Sequence, residues 1–296
     1  MILVTGAAGG SQGGTGRKVA ELLLARGRRV RAFVRADDHR AEELRGLGAE
    51  VVVGDMREIS SVRPAMRGVS RVYLTYPVTA GLLDATAAFA AAAREEGVRR
   101  VVAVSQLDAS PTAGTPHMRR HWLAEQVLDR AGVGAVHLRA AVFLENLAVV
   151  AAASGGRELA LPLGPRDTLI PLVAAEDVAR VGAGLLLHDG PVEPVCLLTG
   201  QTAAVGEVAD AFGVPYVDVP PEEWEARAVH VYRDPVVVEH LSHLWAIFRF
   251  LGTARHPLYA VTESIERFGG RPPVTIGEFA RSRSPRQEPR GVLRPS

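Results

Sequence analysis

A glycine-rich turn near the start of the chain constrains the fold more than any other feature of the sequence. The apolar run Ile2-Leu3-Val4 leads into TGAAGGSQGGTG, and six of the eleven residues from Gly6 to Gly16 are glycine. A segment with helical spacing follows and ends before Gly27. Glycines let backbone N–H groups approach a pyrophosphate closely, and a helix N-terminus adds partial positive charge. The turn therefore predicts a dinucleotide site between the first strand and the first helix; a flexible loop without a ligand is the alternative.

Short apolar segments alternate with amphipathic ones through the first half of the chain. Strands are predicted at 1–5, 29–34, 50–53, 71–75, 100–105 and 135–138, and helices at 16–26, 41–47, 61–66, 81–96 and 116–130. Neighbouring parallel strands with a helix between them require right-handed crossovers. The predicted fold class is therefore α/β, with a doubly wound parallel sheet.

The second half of the chain has a looser rhythm, which predicts a smaller C-terminal α+β substrate lobe. Helices are predicted at 142–153, 175–187 and 205–212, strands at 169–173 and 195–199, and a further helix from the spacing of Val237, Leu241, Leu244, Phe248 and Leu251. We expect a cofactor domain at 1–150, with contributions from about 168–200, and the substrate lobe at 151–280. The tail at 281–296 has five arginines and three prolines and is expected to be disordered.

Composition excludes several classes of protein. A net charge of +1 is too balanced for a nucleic-acid surface, and the single cysteine, Cys196, excludes an internal disulfide and a Cys-rich metal site. The short apolar start lacks a basic segment before it, which argues against a signal peptide. The alanine-rich run at 85–93 is far shorter than the ~20 apolar residues of a membrane span. We expect a cytoplasmic protein that binds neither nucleic acid nor membranes.

Several polar residues follow predicted strands at the sheet edge where doubly wound folds bind ligands. Arg35 ends the second strand, 19 residues after Gly16, where an arginine accommodates the 2′-phosphate of NADP. Asp37 and Asp38 follow closely in the sequence, and their negative charges could weaken a preference for NADP over NAD. The remaining candidates are Asp55 and Met56 after the third strand, Thr75, Tyr76 and Pro77 after the fourth, and Ser105 at the end of the fifth. The pattern favours NADP(H) over NAD(H); a solvated arginine and a turn aspartate without a ligand are the alternatives.

The combination and order of these motifs resembles the NmrA-like branch of the atypical short-chain dehydrogenase/reductases over roughly residues 1–280. The resemblance is carried by the glycine turn, RAFVR at 31–35, Gly54-Asp55, HMRRHWLAE at 117–125, LRAAVFLENL at 138–147, CLLTGQTAAVGEVADAF at 196–212 and RFGGRPPVTIGEF at 267–279. It implies a Rossmann domain that binds NADP(H), with a substrate cleft against the C-terminal lobe. It also implies that Phe143 and Asn146 border the nicotinamide and the substrate.

The glycine turn departs from the pattern of that family, which usually reads G-x-x-G-x-x-G directly after the strand. Gly10, Gly13 and Gly16 keep the spacing, but about four residues are inserted after Gly6. Gly9, Ser11 and Gln12 belong to the lengthened loop. We expect the loop to wrap over the pyrophosphate or ribose, with side-chain hydrogen bonds from Ser11 and Gln12; an insertion that occludes the site is the alternative.

The catalytic Tyr-x-x-x-Lys pair of the wider superfamily is absent. The chain has one lysine, Lys18, and none of its five tyrosines has a lysine four residues later. By the resemblance, His121 occupies the position of a lysine and His117 that of the tyrosine. Both share a helix face with Glu125, so one hypothesis makes His121 a ribose or nicotinamide contact and His117 a proton donor. A metal site and a polar cleft lining without chemistry remain open alternatives.

Two features of the last predicted long helix are assigned to structure more than to function. His240 and His243 are expected on a partly solvated face, whereas Trp245, Phe248 and Phe250 form either a lid or core. The main functional prediction is an NADPH-dependent reductase of a quinone, carbonyl or enone on a small aromatic or polyketide-like substrate. Ser105, His117, the substrate and water are candidate proton sources. The alternatives are a non-catalytic NADP(H) sensor with a regulatory protein partner and a non-redox natural-product enzyme of the same fold; a homodimer is also possible.

Overall fold

The computed structural model describes residues 1–10 and 14–283. Ser11, Gln12 and Gly13 lie outside the described residues, as does the segment 284–296, so the expected loop contacts and most of the predicted tail are not tested by it. The first half contains β1 (Ile2–Thr5), α1 (Thr15–Ala25), β2 (Val30–Val34), α2 (His39–Gly46), β3 (Glu50–Val53), α3 (Ile59–Met66), β4 (Arg71–Leu74), α4 (Leu82–Glu95), β5 (Arg100–Gln106), α5 (Pro116–Ala131) and β6 (Ala135–Ala140).

The second half mixes short strands and helices. Its elements are β7 (Val142–Phe143), α6 (Leu144–Ala153), β8 (Leu159–Leu161), β9 (Leu169–Val173), α7 (Ala175–Leu187), β10 (Val195–Leu198), β11 (Gln201–Ala204), α8 (Val205–Phe212), β12 (Tyr216–Asp218), α9 (Pro221–Tyr232), α10 (Pro235–Leu251), a 3₁₀ turn at Pro257–Tyr259, α11 (Ser264–Gly269) and α12 (Ile276–Arg283).

A parallel sheet of seven described strands, in the order β10-β6-β5-β4-β1-β2-β3, forms the centre of the molecule. β1 pairs with β2 on one side and with β4 on the other, so Ile2 faces both Val30 and Arg71. The chain thus winds outward in one direction from β1 and then in the other from β4. This reversal confirms the predicted doubly wound Rossmann-type sheet, and it creates a crevice at the carboxyl ends of β1 and β4.

Apolar side chains cover both faces of this sheet, because its strands are sandwiched between helices. Val4 packs in a core with Val19 of α1 and Val178 of α7, whereas Leu3 points to the opposite core with Met66 of α3 and Phe89 of α4. The alanine-rich run belongs to α4, where small side chains allow close helix packing. Within the described part of the chain, no helix is long and apolar enough to cross a membrane.

The C-terminal elements form a separate apolar core beside the sheet edge. In the described residues, β11, β9 and β7 form a three-stranded sheet and β12 pairs with β8. Trp245 of α10 is fully buried and packs edge-on against Trp224 of α9, with ring centroids 6.3 Å apart. This arrangement confirms the smaller mixed lobe that the looser rhythm predicts.

The structure also differs from the predictions in three respects. Residues 142–153 are not all helical, because Val142 and Phe143 pair as a strand with β9 before α6 begins. The sequence pattern did not reveal β8, β11, β12 or α9, which are short or exposed. Residues 281–283 were expected to be disordered, yet they complete α12, where Ile276 and Phe279 provide a buried anchor.

Candidate functional site

A cleft of about 540 Å³ lies at the carboxyl edge of the main sheet, against the C-terminal lobe. The glycine turn and the ends of β2, β3, β4 and β5 form one part of it, and α10 forms much of the other. Most of the predicted site residues that the structure describes line this cleft: Gly6, Gly9, Gly10, Gly16, Arg35, Asp55, Met56, Thr75, Tyr76, Pro77, Ser105, His121, Phe143 and Asn146. His117 does not.

The described part of the glycine turn has the backbone of an anion cradle. Gly6 has φ +64° and Gly9 has φ +76°, conformations that L side chains rarely adopt. A Cβ on Gly16 would lie 2.1 Å from the Thr5 carbonyl oxygen, so only glycine lets α1 start so close to β1. Gly14, the N-cap of α1, offers no side-chain cap, and the first turn carries no acidic residue. The helix N-terminus is therefore available to a phosphate group.

Near the end of the cleft formed by β2 and β3, two carboxylates are held in ion pairs and one arginine has no ion-pair partner among the described residues. Asp38 caps α2 and holds Arg40, which lowers the pKa of this carboxyl to about 2. Asp55 accepts hydrogen bonds from the Arg57 side chain and backbone, and its pKa lies well below the ordinary value. Arg35 is exposed, and it makes no ion pair with the described residues. The Arg35 guanidinium at the end of β2 is therefore available to a ligand in the cleft.

Hydrogen bonds of Thr5 join the carboxyl ends of β1 and β4 at the crevice. The Thr5 hydroxyl donates to the Thr75 carbonyl oxygen at 2.9 Å and accepts from the Thr75 backbone N–H at 2.8 Å. The Tyr76 hydroxyl, in turn, donates to the Ala80 carbonyl oxygen at 2.9 Å. These bonds hold β1 and β4 together and fix the Thr75-Tyr76-Pro77 segment along the cleft.

The Ser105 hydroxyl is hydrogen-bonded to the carboxylate of a largely buried ion pair, Glu125–Arg139. Its hydroxyl donates to Oε1 of Glu125 at 2.6 Å, and the same carboxylate accepts two hydrogen bonds from Arg139, at 3.0 and 2.6 Å. Glu125 is thus a structural carboxylate that joins α5 to β5 and β6. It does not join the histidines in a metal site, and the described residues contain no group of three or more His, Cys, Asp or Glu suited to a metal ion.

Three histidine rings meet behind the inner end of the cleft. The His117 centroid lies 4.8 Å from that of His121 and 5.2 Å from that of His240. His117 is buried, and both of its ring nitrogens lack a partner among the described residues. His121 faces the cleft, and its nitrogens make no hydrogen bond to described groups. Burial lowers the pKa of His117 to about 4 and holds that of His121 well below its ordinary value.

The expectation for His240 is wrong. Instead of a partly solvated position, it is 5% exposed and lines the cleft, whereas His243 is on the exposed face. Its Nδ1 lies 3.1 Å from the Thr115 hydroxyl and its Nε2 lies 3.2 Å from the Gln106 amide nitrogen. Burial lowers its pKa to about 3, so all three histidines are neutral at pH 7. Helical spacing alone did not reveal that this face turns inward.

The remaining lining is apolar and comes mainly from one helix. Positions on one face of α10 line the cleft: Val237, His240, Leu241, Leu244, Ile247 and Phe248. Phe143, Asn146, Met118 and Tyr232 complete this end. Of the three aromatics predicted as lid or core, Trp245 is core, Phe248 lies between core and cleft, and Phe250 is 89% exposed. The sequence pattern identified this stripe as helical, but it could not show that the stripe faces a ligand cleft.

Fold and site together define a protein of the dinucleotide-binding Rossmann class. A family model described as NAD(P)H-binding matches residues 10–188, more than half of the chain. The chain belongs to this NAD(P)H-binding family. The match confirms the prediction of a nicotinamide dinucleotide cofactor.

Similarity to individual proteins extends over almost the whole chain. The NAD(P)H azoreductase of Xenophilus azovorans is 27% identical over 292 residues, covering 95% of this chain and 97% of the relative. The NADPH complex of the quinone oxidoreductase QOR2 from Escherichia coli superposes with a TM-score of 0.78 at 22% identity, covering 95% and 99% of the two chains. NmrA, a negative transcriptional regulator in complex with NADP, gives a TM-score of 0.73 at 18% identity, covering 95% and 94%. These structures share the fold, so the predicted NmrA-like resemblance is confirmed at the level of the fold.

Proposed function

We propose that the protein is an NADPH-dependent reductase of a conjugated, largely apolar acceptor. The observation that carries this proposal is one continuous cleft, in which the glycine turn and an arginine without an ion-pair partner among the described residues adjoin an apolar chamber. A site for a small planar molecule therefore adjoins the place where a nicotinamide would lie. The similarity to an azoreductase and the fold shared with a quinone oxidoreductase support the same reaction class.

The residues fit the cofactor by several independent features. Gly6 and Gly16 leave no room for a Cβ, the start of α1 is uncapped, and Arg35 has no ion-pair partner among the described residues. In this proposal the glycine turn binds the pyrophosphate and Arg35 binds the 2′-phosphate. Asp55, Met56 and the Thr75–Pro77 segment flank the adenosine, and Phe143 and Asn146 border the nicotinamide. When bound, the reduced cofactor supplies a hydride.

Of the four proton sources considered from the sequence, water fits the geometry of the cleft best. His117 does not line the cleft, and the Ser105 hydroxyl is bound to Glu125, so we assign the donor role to neither. His121 faces the cleft as a neutral imidazole, which donates a hydrogen bond to the acceptor but not a full proton. Hydride addition then leaves an anion that must be stabilised by its own conjugation and protonated by water. Quinones, enones and azo compounds meet this requirement better than simple ketones.

The experiment is steady-state NADPH oxidation over a panel of quinones, enones, azo compounds and unconjugated ketones. We expect turnover of the conjugated acceptors and little of the ketones. His121→Ala should lower kcat about 10-fold, because one hydrogen bond to a developing charge is worth about 1.5 kcal/mol at the low end. The matched control, His243→Ala, changes an exposed imidazole on α10 and should leave kcat unchanged. Silence across the whole panel would overturn the proposal.

A non-catalytic NADP(H) sensor is the second candidate. It is favoured by the neutral state of the cleft histidines His121 and His240, which are therefore poor proton donors, and by the fold shared with NmrA. Under this function the protein binds NADP⁺ and NADPH with different affinities, oxidises no acceptor and retains a protein partner. Separate titrations with the two cofactor forms, together with the acceptor panel, distinguish the two functions.

A further inference from the structure

Charged side chains line the described cleft at two separate places. Arg35, Arg40 and Asp55 lie at the adenosine end. The apolar end, from Ser105 through the α10 stripe, contains one charged side chain among its described lining residues, Asp108. This carboxylate follows β5 at the carboxyl edge of the sheet, beside Gln106 and Leu107. It therefore gives an otherwise neutral chamber its net charge.

The Asp108 carboxylate is not committed to the protein. It is partly buried, and no hydrogen bond or ion pair joins it to the described residues. Electrostatic interactions with His256 and Arg139 lower the pKa of Asp108, but by less than desolvation raises it. Arg139 is held by Glu125, and His256 is an exposed residue whose Nδ1 accepts from the Leu258 backbone N–H. Desolvation raises the pKa of Asp108, as expected for a carboxyl that faces a cleft without a local cation of its own.

We propose that Asp108 selects acceptors by charge: it favours molecules that carry a cationic group or an N–H donor beside the reducible conjugated system, and it disfavours anionic ones. The proposal rests on the reductase function for its substrate class. The physical basis is that a partly desolvated carboxylate attracts a nearby cation and repels a nearby anion more strongly than it would in water. Neutral aromatic molecules bind through the apolar lining and are indifferent to this charge.

The size of the effect follows from the exposure of the carboxylate. A charge-assisted hydrogen bond corresponds to about 10- to 150-fold in affinity, and solvent access reduces the effect to the lower value or below it. Asp108→Asn should therefore weaken binding of a cationic ligand about 3- to 10-fold. The same change should strengthen binding of an anionic ligand by a comparable factor, and it should leave a neutral ligand within about 2-fold.

The test measures binding without turnover, so that it stands apart from the test of reductase activity. The NADP⁺-loaded protein is titrated calorimetrically at pH 7 with three naphthalenes that carry a protonated aminomethyl, a hydroxymethyl or a sulfonate group. We expect the wild type to prefer the cationic ligand and Asp108→Asn to lose that preference. Asp167→Asn is the matched control, since Asp167 is exposed and outside the cleft. Added salt should reduce the difference between the affinities of the wild type for the cationic and the anionic ligand.

Two results would overturn the proposal. One is an equal effect of Asp108→Asn on all three ligands, which would indicate a change in cleft shape instead of charge selection. The other is a changed NADP⁺ affinity with unchanged ligand ratios, which would assign the carboxylate to the cofactor. A protein that binds the ligands with the expected charge preference but oxidises no NADPH would support the role of Asp108 and refute the reductase function separately.

Discussion

Arg35 gives the sharpest test of the proposed cofactor preference. It ends β2, lines the cleft and has no ion-pair partner among the described residues, while the neighbouring carboxylates of Asp38 and Asp55 are held by Arg40 and Arg57. Arg35→Ala therefore removes, among the described cleft residues, the cation without an ion-pair partner that we propose binds the 2′-phosphate. A charge-assisted hydrogen bond contributes about 1.5–3 kcal/mol, and exposure favours the lower end. We expect NADPH to bind about 10-fold more weakly and NADH to be unchanged within about 2-fold.

The assay is fluorescence titration of both cofactors with the wild type and the variant at one salt concentration. Arg28→Ala is the matched control, because Arg28 is exposed in the turn between α1 and β2, at the opposite edge of the sheet. Equal weakening of NADPH and NADH would show that Arg35 acts on the general shape of the site. No change for either cofactor would refute the assignment of the 2′-phosphate to this arginine.

Three further predictions concern the framework of the site. Gly16→Ala should destabilise the fold by about 3 kcal/mol through the clash with Thr5, whereas Gly10→Ala, with no atom within 4 Å of its Cβ, should cost little; urea unfolding compares the two. Glu125→Gln should cost about 2–3 kcal/mol in the same measurement, because it leaves Arg139 partly buried without its carboxylate; a loss below about 0.5 kcal/mol would contradict the buried pair. The histidine cluster should destabilise the protein in acid. The pKa of His240 falls from 6.5 to about 3 on folding, so the unfolded chain binds more protons below pH 6.5 and the free energy of unfolding decreases as pH falls from there. His240→Gln should flatten this decrease by up to about 1.4 kcal/mol per pH unit, and an unchanged slope would contradict the buried neutral state.

The main sheet was predictable because its signals are local. Each strand of the first half is a short apolar run, and the intervening helices have clear ends, such as Thr115 capping α5 and accepting from the Met118 N–H. The glycine turn and Arg35 follow from the same logic, since their roles depend on position relative to a strand end. These parts of the sequence specify their own structure and much of the cofactor half of the cleft.

The substrate half was less predictable because its roles depend on which faces meet. His240 and His243 are three residues apart on one helix, and only the packing of α10 against Thr115 and Gln106 buries the first and exposes the second. The same packing buries Trp245 and leaves Phe250 exposed. His117 and Ser105 are residue types that can donate protons. In the folded chain, however, His117 does not line the cleft, and the Ser105 hydroxyl is hydrogen-bonded to Glu125.

If the protein is a reductase, NADPH bound in this cleft is oxidised by a conjugated acceptor in the adjoining apolar chamber. A single-turnover experiment tests it most directly: the NADPH-loaded protein is mixed without oxygen with 2-methyl-1,4-naphthoquinone, and the absorbance of the reduced nicotinamide is followed. We predict loss of this absorbance in proportion to the bound NADPH, with a slower rate in His121→Ala and an unchanged rate in His243→Ala. Bound NADPH that persists in the presence of this quinone and of an azo compound would refute the reductase function and favour the sensor.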